Sequence, residues 1–455
     1  MTLLLLTGVA TDIQSVALSP LVGTMMADLG LSSSQVSWAL NALLAGAAIG
    51  AGVVSRLGDL IGHRKVLLPV LFIGLLGCVL GALSTGFTML VIGRFLMGVA
   101  VTTPLGWGML RARASASTIQ TAAVSLGTVV SIFTPLSLIL GGVLVASGVG
   151  WQSVFWVSAV SYLAMLICVV VTSETPQSAR PRVPLDWAGA VGLGIWLTAF
   201  LLAISEGPTS GWASSYVLSL WGIAAVVFVG WVLQQRRASA PLVDFRDMDL
   251  RQMGSGYVAI SITVAVSYAL YILLPAMLQM PAATGYGMGL TPLKASLPLI
   301  MIIPGSFIAA YFFKAWLESL GPRVPLVLGG LLTAAAFLGL TVLPDQLWVL
   351  YALVFVYGTG VVMCFNIGWA LVAASGRQDN MSITFGVLMA VQFVAGAIAN
   401  AVILSSLNLG ATTLPTSGTF STLYGGAAVV ALLLFVLFGL LVAPKRLVDR
   451  HAVSE

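Results

Sequence analysis

Charge is what this chain lacks most. Asp, Glu, Lys and Arg together make up 7% of its 455 residues, against about 25% in soluble domains, so a soluble globular protein is excluded. Histidine is nearly absent. The two present, His63 and His451, both lie in polar surface segments, which removes a buried metal centre or a histidine-dependent triad. Cysteine is as scarce: Cys78, Cys168 and Cys364 sit singly in three apolar segments and form neither a disulfide framework nor a metal motif. No phosphate loop occurs, and no polar stretch is long enough for a catalytic or partner-binding domain. An enzyme, a resident cofactor and a metal are therefore not expected.

What fills the chain instead is apolar sequence, 59% of residues, with a mean hydropathy of +1.07. Runs of eighteen or more apolar residues read as transmembrane helices, because about 20 residues cross a ~30 Å hydrocarbon core. Fourteen such runs follow one another, from 3–27 to 423–442. The spacing predicts an all-α polytopic membrane protein. The first run has no basic leader and is helix-length, so it reads as a spanning helix and not as a cleaved signal.

The net charge of +5 and the pI near 9.2 raise the question of nucleic acid, but the placement of the charge answers it. Of the 19 Lys and Arg residues, all except Arg94 and Lys294 fall in the even-numbered loops or the C-terminal tail. That asymmetry is the positive-inside pattern. It predicts both termini in the cytoplasm and a plasma or inner membrane location, with no role for nucleic acid.

Two Pro-rich or charged linkers divide the runs six, two and six. Glu174 to Asp186 carries Pro176, Pro181 and Pro184, and Gln234 to Arg251 carries seven charged residues. The expected organisation is a six-helix bundle over 1–173, linkers with two additional helices over 174–251, a second six-helix bundle over 252–443, and a cytoplasmic tail over 444–455.

Polar residues deep in the runs are the candidates for function. Asp12 lies about nine residues into the first run, roughly 13 Å at helical rise, and is the one acid placed deep in any run. A charge there costs at least about 2.5–3.5 kcal/mol, so it faces either a hydrogen-bonding helix or a water-filled cavity where it takes up a proton. Arg94, in the fourth run, keeps its charge and needs a partner. It either snorkels outward or tunes Asp12 through water. Gln14, Asn41, Asn366 and Gln392 are substrate-binding candidates on depth alone.

The densest charge is Ser55 to Lys65, Ser-Arg-Leu-Gly-Asp-Leu-Ile-Gly-His-Arg-Lys, between the second and third runs. It has a copy at Lys314 to Arg323, in which Glu318, Gly321 and Arg323 take the places of Asp59, Gly62 and Arg64, each 259 positions later. Asp59 is placed to pair with Arg64 or to cap a helix N-terminus, and Gly62 permits a tight turn. Such a loop either latches a gate or only fixes topology. The repeat itself points to two related halves with a site between them.

These residues resemble the major facilitator superfamily, in particular its fourteen-helix drug/proton antiporter branch. Leu57, Asp59, Gly62, Arg64 and Lys65 match the loop 2–3 signature, with Ser55, Leu60 and His63 departing from it. Arg94 with Gly98 resembles the helix-4 motif. Gly150-Trp151 with Phe155 resembles the start of helix 6, and Pro241-Leu-Val-Asp244 a motif ahead of helix 9. The helix-5 antiporter motif differs, since Thr134-Pro135 precedes Gly141-Gly142 by more than the family spacing. The resemblance implies the major facilitator fold and a monomer using alternating access. It also implies proton-coupled export of hydrophobic or amphiphilic small molecules, with H+ as the coupling ion and membrane lipid as its surroundings. The altered helix-5 motif leaves a second reading open, a proton-independent flippase or uniporter for lipids or hydrophobic metabolites.

Overall fold

In a computed structural model of the chain, residues 2–111, 116–171, 186–238, 241, 252–343, 345–375, 381–407, 414–433 and 439 are described. Fourteen helical segments follow one another, and no strand occurs among the described residues. The first, α1, is Thr2–Val16, a 3-10 turn at Ser19–Leu21, and Val22–Leu29. Next come α2 (Ser33–Ile61), α3 (His63–Ala82), α4 in two pieces (Phe87–Val99 and Thr103–Arg111), α5 (Ala116–Ala146) and α6 (Ser153–Val170). The middle pair is α7 (Trp187–Ser210) and α8 (Ser215–Arg237). The last six are α9 (Gln252–Gln279), α10 (Pro292–Ser296, a 3-10 turn at Leu297–Met301, and Ile302–Leu320), α11 (Arg323–Thr341), α12 (Leu347–Ser375), α13 (Met381–Leu407) and α14 (Ser417–Val430).

The 259-residue repeat is a repeat of helices. α2 and α10 start at 33 and 292 and end at 61 and 320, a difference of 259 at both ends. Each begins on a hydroxyl cap, since Ser32 accepts from the Gln35 N–H and Thr291 from the Lys294 N–H. Each ends on a glycine in the left-handed region, Gly62 at φ 107° and Gly321 at φ 71°. A β-carbon is disfavoured there, and this is why the two glycines of the loop signature coincide.

Within the first six helices, α2 packs on α4, α3 on α4 and α6, and α1 on α5 and α6. In the last six, α11 packs on α12 and α14, and α9 on α12 and α13. The two groups meet where α2 lies along α13 and α5 along α10. Large apolar side chains such as Phe72, Ile167, Val226 and Tyr311 stand exposed on the outward faces, as expected of helices whose solvent is lipid. The extra hairpin lies outside both groups. α7 rests on α2 and α13 together, and α8 rests on α7. Glu206 ties the far end of α7 to α2 by accepting from Ser34 Oγ at 2.5 Å. At its near end, Asp186 caps the Gly189 N–H and accepts from Gln234 and Gln235.

The loop at Asp59–Lys65 differs from the expected pairing. Asp59 Oδ1 lies 3.3 Å from His63 Nε2, which is i,i+4 across Gly62. Arg64 instead donates to the Val169 and Val170 carbonyls at 3.1 and 3.4 Å. It thereby satisfies the last turn of α6, whose carbonyls have no helical donors. The side chains of Lys314 and Glu318 lie outside the described residues, as do the linker residues 174–185 and 242–251 and the tail at 444–455.

Candidate functional site

Between the two groups of helices lies a cavity of about 130 Å³, continued toward the basic face by a second of about 60 Å³. Asp12, Thr11, Val130, Phe365 and Gln392 border both. Asp12 therefore sits where the two spaces join. Its Oδ2 is buried and accepts no hydrogen bond, and among the described residues no cation pairs with it. The walls are mostly apolar, with Val16, Val264, Ile302 and Phe393 among them. A buried polar atom without a partner costs about 1–3 kcal/mol, more if charged. Asp12 is thus held at a loss by the protein groups around it.

Facing Asp12 across the cavity is a row of hydroxyls on α9: Thr263, Ser267, Tyr268 and Tyr271. Ser267 donates to the Thr263 carbonyl at 2.7 Å and is joined by the Tyr357 hydroxyl at 2.9 Å, which fixes the row from behind. Sequence reasoning missed this row. Hydroxyls in apolar runs are inconspicuous, but the repeat marked one of them, since Tyr271 stands 259 positions after Asp12.

Arg94 is not at the cavity. It is 1% exposed, and it donates to the Gln14 carbonyl at 2.5 Å and the Ala39 carbonyl at 3.4 Å. Gln14 is in the last helical turn of α1 before the break, where carbonyls lack helical donors. The guanidinium takes over the Gln14 carbonyl there, and adds a longer bond to the Ala39 carbonyl inside unbroken α2. Gly98, one turn on, lets α4 approach: a β-carbon there would stand 2.0 Å from the Leu43 carbonyl oxygen. Arg94 and Gly98 together clamp α4 to α1 and α2. The expected service of Arg94 to Asp12 has no direct ion pair behind it among the described residues.

The depth-based candidates separate. Gln392 lines both cavities. Gln14, two residues and about 200° round α1 from Asp12, faces away and accepts from Tyr162 at 3.3 Å. Asn41 is fully buried between α2 and α13, where it accepts from Asn400 Nδ2 at 2.7 Å. Asn366 borders neither cavity at Asp12. Depth alone does not say which way a side chain turns.

The cavities are bounded at both ends. Toward the basic face, Trp107 of α4 stacks on Phe385 of α13 at 4.7 Å, with Trp369 of α12 at 5.3 Å from Phe385. Leu4, Leu126 and Tyr257 pack around them. Toward the opposite face, the Asn41–Asn400 pair and the Gln279 amide on the Pro20 carbonyl, at 3.1 Å, join the halves. Gly142 of α5 there lies against Leu293 of α10. Near the same face the Trp151 indole donates to Asp28 at 2.8 Å, which gives the Gly150-Trp151 motif its structural role.

Two halves related by a repeat, a cavity between them and motifs in order are matched by a family profile described as the Major Facilitator Superfamily, over residues 4–400. The chain belongs to the major facilitator superfamily. It is a polytopic membrane protein of that family, with the helix count of the fourteen-helix branch whose motifs it resembles. It is similar to an uncharacterized MFS-type transporter of Mycobacterium tuberculosis, 29% identical over 76% of this chain and 50% of the relative. It is also similar to the tetracenomycin C resistance and export protein of Streptomyces glaucescens, 26% identical over 70% of this chain and 58% of the relative. The matches thus span about half the length of these relatives. Among solved structures, a POT peptide transporter superposes with a TM-score of 0.66 at 15% identity, over 98% of this chain and 95% of that one. That likeness concerns the fold.

Proposed function

We propose that this protein exports hydrophobic or amphiphilic small molecules from the cytoplasm by proton antiport, with Asp12 as the group that carries the proton. The carrying observation is Asp12 itself: a carboxyl between two cavities, with one oxygen unpartnered and, among the described residues, no cation paired with it. A charge there is costly, and the cost is removed when a proton binds or when cargo brings a donor. Proton and cargo then compete for one group, which is the minimum an antiporter needs. The apolar walls suit hydrophobic cargo, and the hydroxyl row on α9 suits cargo with a few polar atoms. A relative named as a tetracenomycin C resistance and export protein supports the direction.

Alternating access follows from the same geometry as part of this reading. The Trp107–Phe385–Trp369 cluster is the inner gate and the Asn41–Asn400 and Gly142–Leu293 contacts the outer one. The positive-inside pattern supports a cytoplasmic position for the inner gate, and the Asp59–His63 and Arg64–α6 contacts lie on that side. The test is uptake of a neutral lipophilic fluorescent dye into inside-out vesicles under a pH gradient. Asp12→Asn is expected to abolish gradient-driven accumulation while leaving downhill exchange. Undiminished gradient-driven accumulation in the variant contradicts the proposal, and transport that persists unchanged in wild type after the gradient is collapsed favours a proton-independent flippase or uniporter.

A further inference from the structure

A third space lies away from the central cavity, between the extra hairpin and the first six helices, and it is larger, about 690 Å³. One wall is Ile49, Gly50 and Val53 of α2 with Phe95 and Val99 of α4. The other is a stripe of α7 at helical spacing, including Trp187, Val191, Gly194 and Thr198, that ends at Leu202. From Trp187 to Leu202 is fifteen residues, or about 22 Å at helical rise. That is longer than one leaflet's half of a ~30 Å hydrocarbon core. The groove is open along its side and apolar throughout its length.

One helical turn past its basic-face end stands a cation. Arg56 lies on α2 three residues beyond Val53 and seven beyond Ile49, on the same stripe one turn further on. Its Nε is buried and has no hydrogen-bond partner, and no acid lies within ion-pair distance of its guanidinium among the described residues. Asp59, one turn on, lies 3.3 Å from His63, and Asp186 at the start of α7 accepts from Gly189, Gln234 and Gln235. Neither acid forms an ion pair with Arg56. A buried guanidinium N–H without an acceptor is a cost the fold leaves standing, and guanidinium matches a phosphate in shape and charge.

We infer that the groove is a built site for one glycerophospholipid, with an acyl chain along α7 and the phosphate on Arg56. The orphaned donor, the groove's leaflet-length run and its opening to the bilayer select that occupant. A molecule of tails alone leaves Arg56 unpaired. A site there lies where α7 bears on both α2 and α13, so a bound lipid fills the joint between the hairpin and the seam of the two halves.

The test is native mass spectrometry of the full chain in detergent, titrated with phosphatidylglycerol and, separately, with diacylglycerol, which has the same tails and no phosphate. Wild type is expected to retain phosphatidylglycerol and to bind diacylglycerol about fivefold or more weakly, the worth of one basic side chain at a lipid surface. Arg56→Gln is expected to bring phosphatidylglycerol down to the diacylglycerol level, while Arg56→Lys keeps most of the binding. Gly194→Leu, which fills the groove beside Ile49, is expected to weaken both lipids. Arg237→Gln, at the exposed end of α8, is expected to change neither. Equal retention of the two lipids by wild type overturns the site, as does binding that survives both Arg56→Gln and Gly194→Leu.

Discussion

The two halves share a fold and divide the chemistry. In the first half, Asp12 lines the cavity, α1 is broken by Pro20, and Arg94 repairs the break through the Gln14 carbonyl. In the second half the position 259 residues later is Tyr271, in a helix that runs unbroken from Gln252 to Gln279. A carboxyl in one half thus faces a phenol in the other. Duplication supplies two copies of a scaffold, and function needs only one of them charged. A second deep carboxylate would add its own insertion cost without adding a second cavity. The first half is proposed to handle the proton, and the second to recognise cargo.

This division is open to attack from either side. Replacing Arg94 strikes the first half hardest. Arg94→Ala leaves the Gln14 carbonyl without its side-chain donor and removes a charge-assisted hydrogen bond, so a loss of about 1.5–3 kcal/mol is expected. Thermal unfolding in detergent reads it as a lower Tm, and Arg94→Lys should recover part of the loss. If Arg94→Ala instead keeps wild-type stability and loses only pH-gradient drive, the arginine belongs to the proton path and not to the scaffold. A smaller effect is expected in the second half. Tyr271→Phe removes one hydroxyl, about 0.5–1.5 kcal/mol, and should weaken binding of hydroxyl-bearing dyes by up to about tenfold while leaving apolar dyes unchanged. Equal weakening for all dyes would show that the ring, not the hydroxyl, recognises cargo. The smallest effect concerns the contact between halves. A double-mutant cycle on Asn41→Ala and Asn400→Ala should return a coupling near 0.6 kcal/mol, and at most about 1.7, in line with interhelical hydrogen bonds in membranes. A coupling of zero would remove the pair from the outer closure.

Much of this molecule was legible before any coordinates. Charge scarcity and run length give the helices, and the loop copy gives the repeat, down to the paired glycines Gly62 and Gly321. Asp12 was legible for the same reason: a carboxyl is rare enough in an apolar run to stand out. The facing of neutral residues was not. α9 and α13 are apolar on all sides, so no periodicity separates a cavity face from a lipid face, and Tyr268, Tyr271 and Ser267 passed as ordinary interior residues. The same blindness put Asn41 and Asn366 beside Gln392 as equals, although Gln392 alone of the three reaches the cavities at Asp12. Arg94 was readable as buried but not as bonded to main chain, because the broken turn of α1 that offers it acceptors is a feature of backbone path. The loop partner of Asp59 was similarly hidden. His63 lies one helical turn away across Gly62, while Arg64 swings to the end of α6.

The division of labour rests on Asp12 giving up a proton when cargo arrives. Proton release on cargo binding tests it most directly, with a neutral lipophilic dye added to purified protein in weakly buffered detergent solution and the pH followed. Wild type is expected to release protons in proportion to bound dye, and Asp12→Asn to bind dye with no release. Dye binding without proton release in wild type, or equal release from both proteins, would contradict it.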